Sequence, residues 1–300
     1  MPLEVHTQTP LDTLSTFQLP ARAAELVELT DPSQLSSALD TALPILILGG
    51  GSNTVFVDDY PGRVILNRLR GIRVDAGDAQ TLIVTAAAGE NWHQLVLQTV
   101  DQGLWGLENL ALIPGSVGAA PMQNIGAYGV ELSDCLDAVQ VYDRSTQSMI
   151  WLSAVDCQLS YRSSRFKTAD ADRFIILAVR LIVSTRARPR LDYPDLQHAF
   201  TDCNRASLQP RSITDAVMHI RRQKLPDPSQ VPNAGSFFKN PLVDRTQAEK
   251  LLAQYPMLPH WPAGEQVKLS AGWMIDQLGW RGRSVGGAQV YPNHALVLTN

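Results

Sequence analysis

Cysteine is scarce in this chain of 300 residues: Cys135, Cys157 and Cys203 are an odd, scattered set with neither CxxC nor Cys/His ligand spacing. They build neither a disulfide framework nor a zinc site, and no metal is expected; free thiols in a reducing compartment are the reading. Surplus positive charge is also missing. With 25 Lys and Arg against 29 Asp and Glu, the net charge of -4 offers no general attraction to phosphate backbones or anionic lipid, which excludes nucleic acid and membrane as partners. No apolar run approaches the length of a bilayer span, and the opening MPLEVHTQTPLDTL lacks a basic leader, so a soluble cytoplasmic protein is expected. Two phosphate-binding signatures are absent as well: G-x-G-x-x-G at a strand-to-helix turn, and G-K-[ST]. There is no internal repeat.

What remains is an ordinary globular composition, 45% hydrophobic and 18% charged, long enough for about two domains. Asp31, Pro32 and Gln34 open a helix with a capping box, and Leu35, Ala38, Leu39 and Ala42 supply its apolar stripe. The run 45–48 is short and β-rich enough for a buried strand. It leads into Gly49, Gly50, Gly51, Ser52 and Asn53, and the β-branched stretch 54–57 predicts a return to strand. Successive N–H groups of such a turn can form an anion nest, with Ser52 and Asn53 adding polar contacts; a tight β-turn is the plainer alternative. Strands are predicted at 82–86, 138–142 and 174–183. A helix carries Trp92, Leu95, Val96, Thr99 and Val100, with His93 beside the stripe as a structural residue.

After that helix the stretch 103–130, GLWGLENLALIPGSVGAAPMQNIGAYGV, has too little charge for a surface and too many glycines for a regular element. It reads as a buried loop. A long loop inside a compact domain points to function, and its main chain needs hydrogen-bond partners. A large flat or anionic cofactor would supply them; a small-residue packing turn is the alternative. Residues 184–210, punctuated by Arg186, Arg188, Pro189, Arg190 and Pro194, read as a connection between domains. Beyond it, Ser212 and Asp215 have capping-box spacing for a helix whose apolar face is Ile213, Ala216, Val217 and Ile220. Its closing Arg221, Arg222 and Lys224 suit a helix C-terminus without any ligand. Further helices are predicted through Ala248, Leu251, Leu252 and Tyr255, and through Ala271, Met274, Ile275 and Leu278, with a last strand at 295–298.

Taken in order, ILGGGSN, GLENLALIPGSVGAAPMQNIGAYGVEL, SYRSSRFK, KLPDP with NAGSFFKNP, and KLSAGWMIDQLG closely resemble the UDP-N-acetylenolpyruvoylglucosamine reductase (MurB) family of bacterial peptidoglycan precursor synthesis, in the form with a tyrosine-bearing loop, here LDYPDL. The resemblance covers nearly the whole chain. It implies an α+β protein: a two-lobed FAD-binding fold of the vanillyl-alcohol-oxidase (PCMH) type plus a separate α+β substrate-binding domain. The implied boundaries are 1–186 for the flavin domain, with lobes of about 1–70 and 71–186, 187–211 for the connection with the tyrosine loop, and 212–300 for the substrate domain. It also implies non-covalent FAD, NADPH as reductant, UDP-N-acetylglucosamine enolpyruvate as substrate and a monomer. Hydride from the flavin adds to the terminal enolpyruvyl carbon, giving UDP-N-acetylmuramate after protonation.

The resemblance gives the polar residues their roles. Gly49, Gly50, Gly51, Ser52 and Asn53 lie along the pyrophosphate, and the loop bearing Pro114, Gly115, Ser116, Gly118, Asn124, Gly126 and Tyr128 wraps the remaining cofactor. Arg162 is the active-site arginine that stabilises an enolate, and Ser236 the proton donor to it. Tyr161 contacts the substrate pocket, while Tyr193, Lys224 and Asn240 hold the nucleotide diphosphate, joined by His294 where the family has a polar residue. The family also places a catalytic glutamate on a strand after a further helix. No Glu follows Glu265 here, so the expectation is a chain truncated relative to the family, poorly stable and impaired in turnover. Two other readings stay open: a different flavin-dependent sugar or hydroxy-acid oxidoreductase of the same fold, and a non-catalytic flavin or UDP-sugar-binding remnant.

Overall fold

The computed structural model describes residues 3–300, which divide into two compact units that do not follow sequence order. Of the described residues, the first comprises 3–11, 21–51 and 58–221; the second comprises 12–20, 52–57 and 222–300.

In the first unit, β1 (His6–Pro10), β2 (Arg22–Leu29), β3 (Ile45–Leu48) and β4 (Tyr60–Asn67) form one sheet in the order β1-β2-β4-β3, with β2, β4 and β3 parallel and β1 antiparallel at one edge. The short helix α1 (Leu35–Leu39) follows a 3-10 turn that Asp31 caps in a complete capping box with Gln34. Its end is tied by a buried arginine: Arg63 donates to the carbonyls of Ala38 and Asp40 and pairs with Glu25 on the neighbouring strand at 2.6 Å. One cation thus answers both a carboxylate and the negative end of a helix.

A second sheet has the order β10-β9-β11-β6-β5, all antiparallel, from β5 (Ile72–Ala76), β6 (Thr81–Ala87), β9 (Leu136–Asp143), β10 (Ser148–Ser153) and β11 (Phe174–Ser184). The small pair β7 (Gly126–Ala127) and β8 (Val130–Glu131) sits within the glycine-rich loop. Between β6 and that loop, α2 (Trp92–Asp101) is capped by Asn91 and buries Trp92, Leu95, Val96, Thr99 and Val100. The two sheets of this unit share a core of Val27, Leu29 and Ile65 with Ile175 and Leu177, and Asn67 donates to the carbonyl of Ile176 at 2.9 Å across the seam.

The segment read as a plain connection is more built than that. It carries α3 (Pro194–Ala199) and buries Leu191, Leu196 and Leu208 in the main core of this unit. The next helix, α4 (Pro210–Lys224), begins two residues before Ser212, with Pro210 supplying its first turn, so Ser212 is not the cap that its spacing with Asp215 suggested. Its expected apolar face is present, and Ile213, Val217 and Ile220 are buried in the first unit's core.

The second unit contains a four-stranded sheet, β12-β18-β17-β16, from β12 (Asn233–Ser236), β16 (Ser284–Val285), β17 (Ala288–Val290) and β18 (Val297–Thr299), and a three-stranded one, β13-β15-β14, from β13 (Leu242–Asp244), β14 (His260–Ala263) and β15 (Gln266–Leu269). Helices α5 (Arg245–Gln254) and α6 (Ala271–Gln277) complete it; Asp244 and Ser270 cap them. Residues 54–57 are not the predicted strand. They run irregularly in this unit, with Phe56 buried and the Thr54 carbonyl accepting from the Ser15 hydroxyl at 2.6 Å; tertiary context overrides local β propensity. Among the described residues no helix is long and apolar enough to cross a membrane, and no group of His, Cys, Asp or Glu could hold a metal ion.

Candidate active site

In the first unit, Gly49, Gly50 and Gly51 leave the C-terminal end of β3 and meet the loop at Gly115 and Ser116. A Cβ on Gly50 would stand 2.8 Å from the Cα of Gly115, backbone against backbone, so only glycine lets the loops close. Among the described residues the N–H groups of Gly50, Gly51, Gly115 and Ser116 make no hydrogen bond, and the buried Ser116 hydroxyl has no partner. A cluster of unanswered donors at the end of a parallel strand is chemically a seat for an anion. Gly118 runs on under the second sheet, its N–H bonded to the carbonyl of Ala88.

The predicted loop is buried through 107–111 and only in part beyond, with Pro114, Ala119, Met122 and Gly129 exposed, and its pins can be named. Trp92 Nε1 donates to the carbonyl of Leu110 at 3.0 Å. His93 Nδ1 accepts from the N–H of Leu112, which fits the structural part assigned to it. Asn124 adopts a left-handed conformation, and its amide donates to Glu131 at 2.8 Å while accepting from the N–H of Ser133.

The motif SYRSSRFK folds into a tight hairpin: Ser160 and Ser163 exchange main-chain hydrogen bonds of 3.0 and 3.1 Å, leaving Tyr161 and Arg162 as the two central residues. Arg162 has φ +53°, a left-handed conformation that costs a side-chain-bearing residue about 1–2 kcal/mol. Such strain persists only where the surroundings over-determine it. Here the guanidinium donates to the carbonyls of Asn124 at 3.1 Å and Gly126 at 2.8 Å, and lies over the Tyr161 ring at 5.4 Å. Ser164 adds a bond to the carbonyl of Met122 at 2.7 Å. Arg162 and Tyr161 are therefore locked onto the glycine-rich loop.

Behind the hairpin runs a ladder of charges. Arg165 pairs with Asp170 at 2.7 Å, Arg173 reaches Asp170 at 3.1 Å and Asp143 at 2.7 Å, and Asp143 accepts from the Ser145 hydroxyl. The Arg173 hydrogen bonds, with Ser145 adding to them, hold the Asp143 carboxyl well below the usual carboxylate range. A depressed folded-state value means stability that is complete above the unfolded carboxylate pKa of about 4 and lost as pH falls toward the folded value. The urea midpoint should therefore be level from neutrality down to mildly acidic pH and then drop. Asp143→Asn should lower the midpoint at neutral pH and flatten the acid limb, whereas an unchanged acid slope would show that Asp143 is not the group responsible.

Tyr128 meets Tyr193 edge-on, ring centroids 5.1 Å apart. Burial pushes the Tyr128 hydroxyl up to about 12, with the charge of Arg221 pulling the other way. The sequence reading gave Arg221 no work beyond ending a helix; the fold sets it beside the Tyr128 phenol. Asn109, in the glycine-rich loop and given no role by the sequence, donates to the carbonyls of Tyr128 and Arg190. Its signal was available: a lone amide in an apolar buried run must be paired.

In the second unit Ser52 and Asn53 form a turn. Ser236 ends β12, exposed, just after a bulge in which Gly235 has φ +70° and donates to the side chain of Asn233. Asn233 is itself buried and bonded to Thr16 and Val231, so the bulge has a rigid base. Asn240 Oδ1 accepts from the N–H of Ala271 at the head of α6. Lys224 is exposed as the last residue of α4, and His294 lies half-buried before β18.

Residues 23–153 match the family model described as FAD binding domain, and residues 227–300 match that of UDP-N-acetylenolpyruvoylglucosamine reductase, C-terminal domain. The reductase of that name from Pasteurella multocida is 45% identical over 97% of this chain and 85% of its own length. The chain belongs to the UDP-N-acetylenolpyruvoylglucosamine reductase family. The Bordetella pertussis reductase is 48% identical over 95% of this chain and 82% of its own length. The crystal structure of the reductase from Thermus caldophilus matches with a TM-score of 0.68 and 26% identity over 100% of this chain and 88% of that one. As in this reductase family, the fold is α+β, with a flavin-binding fold of the vanillyl-alcohol-oxidase type and a family-specific C-terminal domain. The unanswered N–H groups and the buried Ser116 hydroxyl fit FAD, whose pyrophosphate is the anion such a seat would take.

Proposed function

We propose that this chain is an NADPH-dependent flavoprotein that reduces the enolpyruvyl ether of UDP-N-acetylglucosamine enolpyruvate to the lactyl ether of UDP-N-acetylmuramate, a step in peptidoglycan precursor synthesis. The observation that carries this reading is Arg162, held in a strained turn against the glycine-rich loop of a flavin-binding unit. FAD, when bound, supplies the relay of hydride from NADPH to the terminal enolpyruvyl carbon. Gly49, Gly50 and Gly51 with Pro114, Gly115, Ser116 and Gly118 would hold it through main-chain donors; Ser52 and Asn53, and Asn124, Gly126 and Tyr128, complete the assigned set.

The residues of the chain do the rest. A guanidinium has five N–H donors and remains charged, so two bonds to carbonyls leave Arg162 able to take the negative charge that builds on the substrate carboxylate as hydride arrives. Ser236 then gives its proton to the adjacent carbon. Its hydroxyl is a weak acid, adequate only because an enolate is a strong base. Tyr161 borders the pocket, and Tyr193, Lys224, Asn240 and His294 are assigned to the nucleotide diphosphate. The same reading expects a monomer in the cytoplasm, where its three free thiols stay reduced.

NADPH oxidation by the flavin-loaded chain, followed with and without the enolpyruvyl substrate, tests the proposal; consumption should depend on that substrate. Equal consumption in its absence favours an oxidase, and retained flavin without consumption favours a binding remnant. Arg162→Lys keeps the charge but loses the fork, and is expected to lower substrate-dependent turnover by about 10²–10³ at unchanged flavin content. Turnover within a few-fold of the parent would remove Arg162 from the mechanism.

A further inference from the structure

Asn109 is almost wholly buried at 1% exposure, and its Nδ2 donates to two main-chain carbonyls, those of Tyr128 and Arg190, each at 2.9 Å. These partners lie 19 and 81 positions away in sequence, so a single amide joins the glycine-rich loop to the segment before α3. Two acceptors on one side fix the orientation of the amide, because only its NH₂ end can face them. The other end is spent on nothing: Asn109 Oδ1 is buried without a hydrogen-bond partner. The amide is thus oriented by the two bonds of its NH₂ end.

What they hold is the base of a tyrosine pair. Arg190 is followed by Leu191, which is buried, and then by Tyr193, which precedes α3 with Leu196 buried on that helix. The Tyr193 ring stands edge-on to Tyr128 at an interplanar angle of 72°, and the residue remains 40% exposed. The two apolar anchors fix the depth of the segment. Asn109 bonds its main chain to the same amide that holds the main chain of Tyr128.

We infer that Asn109 is a positioning residue for Tyr193, tying the tyrosine-bearing segment to the glycine-rich loop so that the Tyr193 side chain is presented to substrate in one place. This rests on the proposed function, which makes Tyr193 a contact of the nucleotide diphosphate. Leucine at this position would leave both carbonyls unanswered. Aspartate would set acceptors against acceptors.

The test compares Asn109→Leu, Tyr193→Ala and the double variant in the flavin-loaded chain. Asn109→Leu should raise KM for the enolpyruvyl substrate about tenfold with kcat within about twofold, and leave flavin content and flavin reduction by NADPH alone unchanged. In the double variant KM should be no higher than in Tyr193→Ala, since residues acting through one contact are not additive. Amide exchange in the segment 187–197 should quicken while that in α2 does not. Additive losses, or unchanged exchange in 187–197, overturn the assignment. Where Asn109→Leu does not accumulate, the isosteric Asn109→Asp should give the same pattern. If the parent chain fails to consume NADPH with the enolpyruvyl substrate, the functional reading falls, and the exchange measurement still decides whether Asn109 holds the segment.

Discussion

Valine at position 50 should give a folded protein that has lost its flavin. The Cβ would meet the Cα of Gly115 at 2.8 Å and its carbonyl carbon at 3.2 Å. Neither contact is with a flexible side chain that could turn away, so the two loops must part. Overpacking of this kind costs about 1–3 kcal/mol, which a domain of this size tolerates. The geometry of the N–H cluster does not survive it. The core residues Val27, Ile65, Leu95 and Val179 are untouched, so far-ultraviolet circular dichroism should be unchanged. The flavin absorbance of the purified Gly50→Val protein should fall at least about tenfold, a loss of about 1.4 kcal/mol or more in affinity. Full occupancy by FAD would mean that the apposed glycines are packing and not a cradle.

Ser236→Ala should lower substrate-dependent turnover by about 10²–10⁴, the usual range for a positioned proton donor. The variant removes one oxygen from an exposed residue at the end of β12. What sets the position is elsewhere: the bulge at Gly235 and the buried Asn233, which is bonded to Thr16 on both its main-chain N–H and its carbonyl. Flavin content, melting temperature and the rate at which NADPH bleaches the flavin should therefore match the parent. Ser236→Cys, whose thiol is the stronger acid, should recover part of the rate. Parent-like turnover by the alanine variant would assign the proton to another donor.

Much of this was legible in the residues. The helix opened by Asp31, Pro32 and Gln34 has its capping box, and the periodic face of Trp92, Leu95, Val96 and Val100 is buried as the spacing required. The strands β2 and β4 went unread because charge interrupts them: Arg63 and Glu25 lie on adjacent strands and cancel each other indoors, which a pattern of apolar residues cannot show. Residues 54–57 failed in the opposite direction, their β-branched side chains serving an irregular stretch held through Thr54 and Phe56. Both glycine loops announced themselves by composition. Their meeting at Gly50 and Gly115 did not, since the 64 intervening residues carry no local trace of it. Asn109 shows the same limit: its residue type signalled a buried bond, and only the fold names Tyr128 and Arg190 as the acceptors.

The second unit draws on 12–20 and 52–57 as well as on 222–300. Thr16 bonds to Asn233 across 217 positions, and Phe17 to Asn300 across 283. As the polypeptide emerges from the ribosome, those two early stretches lack their partners in 222–300 until that segment has been synthesised, whereas the strands and helices of 21–51 and 58–221 can already close on one another. The first unit should thus be able to settle before 222–300 is made, and the second only once that segment is present.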